Sequence, residues 1–188
     1  DDPVRTRVTT DVGDLDFQDY FVRRQCQPRV AALRFAGVEA AVPTAQVCAA
    51  LTAPDVDAII ICPSNPYLSI DPILALPGIR ELLKQASAPV LAISPLVGGA
   101  AVKGPTAKIM AELGISVSPL AVARHYGDLL DGFVLDVRDA AFEAELCELG
   151  LPTLVTDTLM KTLDDRKRLA AETLAYALTL GKRKAARA

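Results

Sequence analysis

The stretch Ala58-Ile59-Ile60-Ile61-Cys62, followed at once by Pro63-Ser64-Asn65-Pro66, decides the fold. A continuous apolar run closed by turn residues reads as a central parallel strand covered on both faces. The polar loop after it leads into a helix expected to reach about Gln85. The same rhythm then recurs. Pro89-Val90-Leu91-Ala92-Ile93 is a second buried strand, Phe133-Val134-Leu135 a third, and Pro152-Thr153-Leu154-Val155-Thr156 a last one. Helices are expected between them over 105–113, 119–130 and 140–149, the last ended by Gly150, with a final helix over 164–180 stopped by Gly181. Short apolar strands alternating with helices predict an α/β, Rossmann-like domain, its largely parallel sheet flanked by helices.

Toward the N-terminus the pattern changes. Val4-Arg5-Thr6-Arg7-Val8-Thr9 alternates and reads as a half-buried strand, followed by a turn at Asp11-Val12-Gly13-Asp14. Phe17, Tyr20 and Phe21 stand at helical spacing, although aromatic residues leave a strand possible. A strand over 30–35 ends at Gly37, and Pro43 is expected at the first position of a helix carrying Ala45 to Leu51. No repeat or low-complexity linker divides the chain, so residues 1–188 are read as part of one domain.

Composition narrows the function. Of the 188 residues 51% are hydrophobic and 23% charged, with a formal net charge of −3, which argues against a general nucleic-acid binder. The basic tail Lys182-Arg183-Lys184 with Arg187 reads as a solvated end. No apolar run approaches the ~20 residues that span a bilayer. Asp1-Asp2-Pro3 has neither the basic nor the apolar region of a signal peptide, and the expected setting is cytoplasmic. Cys26, Cys48, Cys62 and Cys147 show no metal-ligand spacing and are expected as buried or half-buried thiols. One histidine cannot build a two-histidine site, and His125 reads as a surface or capping residue. Asp11, Asp14, Asp16 and Asp19 lack the spacing of a calcium loop.

Ligands of open parallel sheets bind beyond the carboxyl ends of the strands. Three loops lie there. In the first, Ser64, Asn65 and Ser69 offer neutral donors suited to a phosphate or a base edge, or else they close a turn and cap a helix. In the second, Ser94 precedes Gly98, Gly99 and Lys103; paired glycines let backbone approach an anion, or simply relax a tight connection. In the third, Asp157 stands at a strand end, as a ligand contact or a helix cap. There is no nucleophile elbow and no P-loop.

Longer blocks carry a resemblance. Leu15-Asp16-Phe17-Gln18-Asp19-Tyr20-Phe21-Val22-Arg23-Arg24 resembles the FQEYFVR signature of the 2-phospho-L-lactate transferases of coenzyme F-420 biosynthesis. Pro63-Ser64-Asn65-Pro66, Ser69-Ile70 and Pro72-Ile73-Leu74 resemble that family's PSNP-x-x-SI-x-PIL block, and Pro77-Gly78-Ile79-Arg80, Ser94 to Gly104, Leu130-Asp131-Gly132-Phe133 and Thr156-Asp157 continue it. The resemblance implies transfer of a phospho-acid moiety, 2-phospho-L-lactate or a relative, from a guanosine diphosphate-linked donor to the deazaflavin Fo. The resemblance also implies release of GMP, help from Mg²⁺ and a homodimer. On that reading Ser64, Asn65 and Ser69 contact donor or acceptor, while Gly98, Gly99 and Lys103 face phosphate. Family members also carry a glycine-rich strand and loop followed by acidic residues suited to metal. This chain shows neither, so it is expected to be a C-terminal portion without metal ligands and without turnover alone. The alternative is a non-catalytic nucleotide- or sugar-nucleotide-binding regulator of the same superfamily.

Overall fold

A computed structural model describes residues 2–102 and 104–185, with side chains to residue 181. The tail reading, on 182–188, falls on residues whose side chains lie outside that description, as does all of Lys103. The chain opens with three antiparallel strands, β1 (Arg5–Thr10), β2 (Gly13–Asp16) and β3 (Val30–Ala36), in the order β2-β1-β3. The strands expected at both ends of this region form, but they stay out of the parallel sheet. Alternation explains it. Val8 pairs with Leu15 and Leu33 on the face turned inward, with Val8 fully buried. Arg7, Asp14, Asp16 and Arg34 share the wet face as cross-strand ion pairs. A sheet with only one apolar face cannot lie between two helical layers. Asp14 and Asp16 spend their charge on these arginines, and Asp19 bonds Arg24.

Residues Asp19–Arg23 form a short wide-turned helix, which settles the helix-or-strand ambiguity there. Thr44 caps α1 (Ala45–Thr52) through its hydroxyl, which accepts from the Val47 N–H. Pro43 therefore precedes the cap instead of opening the helix.

The second sheet is parallel throughout. Its strands are β4 (Ile59–Ile61), β5 (Val90–Ile93), β8 (Gly132–Asp136) and β9 (Thr153–Thr156), in the order β4-β5-β8-β9. Between β5 and β8 come a small hairpin of β6 (Leu96–Val97) and β7 (Ala100–Ala101), then α4 (Thr106–Glu112) and α5 (Pro119–Tyr126). β5 is buried on both faces: Val90 and Ala92 join the large core with Phe133 and Leu135, while Leu91 packs with Ala177 and Leu180. β4, expected in the centre, is an edge strand of this sheet, and Ile59 and Ile60 are only half-buried. The expected helix up to Gln85 is broken into a short turn at Pro66–Ile70, α2 (Asp71–Leu74) and α3 (Ile79–Gln85), because Pro77 and the left-handed Gly78 interrupt it. α6 (Glu143–Glu148) ends before Gly150 as expected. α7 (Leu163–Ala185) runs through Gly181 without stopping; that glycine lies against the Pro89 ring, and its φ is not positive. Cys62 and Cys147 are exposed thiols, not packed ones, since β4 ends at Ile61 and α6 shows Cys147 to solvent. Among the described residues no helix is long and apolar enough to cross a membrane.

The last residue of β8 ties the carboxyl ends together. Asp136 is fully buried and accepts from the Thr158 N–H at 2.8 Å, the Thr158 hydroxyl at 3.0 Å and the Arg138 N–H at 2.9 Å. Arg138 also donates to it through Nη1, and to Asp157 beside it. Burial alone raises the Asp136 pKa; the two backbone N–H groups, the guanidinium and the hydroxyl outweigh it and hold the carboxyl below its ordinary value.

Two substitutions test this framework by urea denaturation. Gly37 sits at φ 88°, and an added Cβ would meet the Pro3 carbonyl oxygen at 2.4 Å. Gly37→Ala is expected to cost at least about 1–2 kcal/mol, the ordinary penalty of a left-handed alanine. Asp136→Asn is expected to cost about 2–4 kcal/mol at neutral pH, because charged hydrogen bonds to buried donors are lost. Its sign with pH is fixed: a depressed folded pKa stabilises above the unfolded value near 4 and loses that contribution as pH falls through the folded value. The gap between wild type and Asp136→Asn is therefore expected to close in acid.

Candidate functional site

Two joined hollows open at the carboxyl ends of the parallel strands. The first, of about 250 Å³, is reached by the loops after β4, β5 and β9 and by the starts of α4 and α7; its polar lining is Ser64, Asn65, Ser94, Thr106, Thr158 and Arg166. Val97, Val102, Leu159 and Met160 supply apolar walls. The second, of about 330 Å³, is lined by Phe17, Phe21, Leu68 and Ser69 and shares Pro63, Ser64, Asn65 and Thr106 with the first. Phe17 and Phe21 stack with ring centroids 5.2 Å apart. The cleft thus has a polar half and an aromatic half, with the Ser64–Asn65 pair between them.

Asn65 closes its turn, one of the two roles its sequence context allowed. Its Oδ1 accepts from the Tyr67 and Leu68 N–H groups, each at 3.0 Å, capping the turn that Pro66 begins. Those two donors fix the amide orientation. Its Nδ2 is buried and unpartnered among the described residues. A donor held there without a partner costs free energy that a ligand acceptor would recover. Ser64 is half-buried between the hollows, and Ser69 is exposed on the aromatic side. Ser94 is 1% exposed; its hydroxyl accepts from the Leu96 N–H at 3.2 Å and donates to the Leu96 carbonyl at 3.3 Å, so it clasps its own turn while lining the polar hollow.

The glycine pair is otherwise engaged. Gly98 and Gly99 form the two-residue turn between β6 and β7, both at positive φ, as such a hairpin turn requires. Their N–H groups donate to the two oxygens of Asp139, each at 2.8 Å, and Asp139 is 4% exposed. The protein's own carboxylate holds the place foreseen for phosphate. Asp157 bonds Arg138 and the Leu159 N–H and does not line either hollow.

Thr106, Thr158 and Arg166 line the polar hollow although no motif drew attention to them. Thr158 follows Asp157 at a strand end, the usual location of ligand contacts, and Arg166 lies in the first turn of the next helix. His125 lines neither hollow: its Nε2 is 2.8 Å from Asp71 Oδ1, and its ring meets Tyr67 edge-on. Burial and the nearby Asp71 push the Tyr67 hydroxyl up to about 12.

The Mg²⁺ implied by the resemblance does not fit this donor set. Mg²⁺ takes hard oxygen ligands, usually with one or two carboxylates. Among the described residues no three His, Cys, Asp or Glu side chains gather to hold a metal. The carboxylates of Asp136, which ends β8, and of Asp139 and Asp157, in the connections after β8 and β9, are spent on N–H groups and Arg138.

The family profile described as 2-phospho-L-lactate transferase CofD matches residues 1–177. The 2-phospho-L-lactate transferase of Methanosarcina mazei is 42% identical over 170 residues, which is 90% of this chain and 55% of that protein. The phosphoenolpyruvate transferase of Streptomyces griseus is 37% identical over 182 residues, covering 94% of this chain and 57% of its own length. The chain therefore spans little more than half the length of these relatives. A UPF0052-family crystal structure from Bacillus halodurans is similar with a TM-score of 0.52 at 16% identity, over 85% of this chain and 54% of that one. That likeness concerns the fold alone. The blocks on the strand-end loops and the family profile agree, and the chain belongs to the 2-phospho-L-lactate transferase family.

Proposed function

We propose that this chain contributes the substrate cleft of an enzyme of coenzyme F-420 biosynthesis that moves 2-phospho-L-lactate, or a related phospho-acid, from a guanosine diphosphate-linked donor to Fo. The observation that carries the reading is the division of the cleft around Asn65. Its polar half offers neutral hydroxyl and amide donors with one arginine, suited to a phosphate ester. Its aromatic half offers a stacked phenylalanine pair to a flat heterocycle. The phospho-acid end of the donor in the first half and a deazaflavin in the second would meet at Ser64 and Asn65.

In the transfer, a hydroxyl oxygen of Fo forms a bond to the phosphorus that carries the acid. The bond from that phosphorus to the bridging oxygen breaks, GMP leaves with that oxygen, and the hydroxyl proton passes to the released phosphate or to solvent. Such a reaction needs its partners held in line more than it needs covalent help from the protein. Asn65 Nδ2 and the Ser64 hydroxyl orient the reacting groups, and Ser94 and Asp136 keep the loops still. The family's substrates guide the choice of Fo and of the guanosine nucleotide.

The binding test uses Fo fluorescence and GDP-induced thermal shifts on the chain. Wild type is expected to give a saturable Fo response. Phe21→Ala should weaken it about tenfold while the fold survives, because Phe21 is 40% exposed and lost stacking is worth roughly 1 kcal/mol beyond lost area. Asn65→Asp keeps the capping oxygen and replaces the free donor by an acceptor, so GDP affinity should fall at least about tenfold. Urea denaturation of the same variant reads the separate cost of the buried carboxylate oxygen. A chain that ignores Fo and GDP but responds to a uridine diphosphate sugar would instead be the non-catalytic regulator.

A further inference from the structure

We infer that Arg166 reads the carboxylate of the transferred phospho-acid, and so restricts the donor to phosphate esters that carry an acid beside the phosphate. The inference rests on the proposed function and assigns a role within its polar half. Three arginines stand at the carboxyl ends of β8 and β9 and on α7. Arg138 is engaged by Asp136 and Asp157. Arg168 is engaged by Glu172 and the Asp157 carbonyl. Arg166 is exposed, lines the polar hollow and, among the described residues, has no acidic partner. Its neighbour Asp165 does not quench it, since that carboxylate accepts from the Lys161 and Thr162 N–H groups and the Thr162 hydroxyl.

Among the described residues the remaining polar lining is neutral: Ser64, Asn65, Ser94, Thr106 and Thr158. Neutral donors can hold a phosphate, but they cannot tell a phospho-acid from a phospho-alcohol. A guanidinium can, because its planar fork matches a carboxylate with two parallel hydrogen bonds. Size agrees. A hollow of about 250 Å³ is below the roughly 300–1,000 Å³ that encloses a drug-sized ligand, so it suits a three-carbon phospho-acid better than a nucleoside.

Calorimetry on the chain with phosphoenolpyruvate and with ethyl phosphate separates the two groups of the ligand. Wild type is expected to bind phosphoenolpyruvate at least about tenfold more tightly than ethyl phosphate, the value of one good charged hydrogen-bonded pair. Arg166→Gln should bring phosphoenolpyruvate down to the ethyl phosphate level and leave ethyl phosphate unchanged, and Arg166→Lys should restore part of the preference. Equal weakening of both probes in Arg166→Gln, an unchanged preference, or no binding of phosphoenolpyruvate by wild type overturns the assignment. Fo titration of the same samples reports on the proposed function separately, because Fo meets the aromatic half: a retained Fo response with no carboxylate preference removes only the role of Arg166.

Discussion

The cleft depends on a side-chain carboxylate accepting two backbone N–H groups where strands leave the sheet. β8 and β9 run parallel, so their carboxyl ends release two loops side by side whose first N–H groups have no ladder partner. Asp136, the last residue of β8, satisfies one in its own loop, at Arg138, and one in its neighbour's, at Thr158. That single group fixes where Thr158, Leu159 and Met160 stand against the polar hollow. Asp139 does the same for the turn of the β6–β7 hairpin, and Asn65 does it for the turn after β4. Each loop is held by an acceptor belonging to the chain; Ser94 and Thr158 give their hydroxyl protons to that work, and the Asn65 Nδ2 donor is left without a partner among the described residues.

The main sheet was legible wherever a strand was apolar on both faces. Val90 to Ile93 and Phe133 to Leu135 read as buried strands because helices cover both sides of them. The position of β4 at the edge was not legible, because an edge is defined by strand order, and Ile59-Ile60-Ile61 carries the same local signal as a central strand. β2 escaped notice for a different reason: Gly13-Asp14-Leu15-Asp16 holds one core residue, and only its pairing with Val8 makes it a strand. Helix ends were least secure. Gly78 broke a helix and Gly181 did not, since the one takes a left-handed φ while the other packs on Pro89 within a continuing helix.

Within the site, the strand-end rule found Ser64, Asn65 and Ser94 because they sit in compact polar loops. Thr106, Thr158 and Arg166 come from three separate stretches, and only the topology gathers them. The glycine pair is the instructive case. Two adjacent N–H groups in a tight turn do attract an anion, as their residue types foretold, but the anion is Asp139 from the connection after β8. A sequence shows that such a pair wants negative charge; it does not show whether the protein already supplies it.

That distinction decides the electrostatics of the cleft. Asp136, Asp139, Asp157 and Glu172 would make the strand ends repel a phosphorylated acid if their charges were open to it. They are not open, because backbone N–H groups and the two paired arginines take them up. An anion approaching the hollow therefore meets hydroxyls, the Asn65 amide and an uncompensated guanidinium rather than a ring of carboxylates. Removing Asp139 or Asp136 would do more than loosen a loop: it would also free N–H groups and Arg138 to compete for the same anion. Among the described residues these pairings leave Arg166 as the cation of the polar half without an acidic partner.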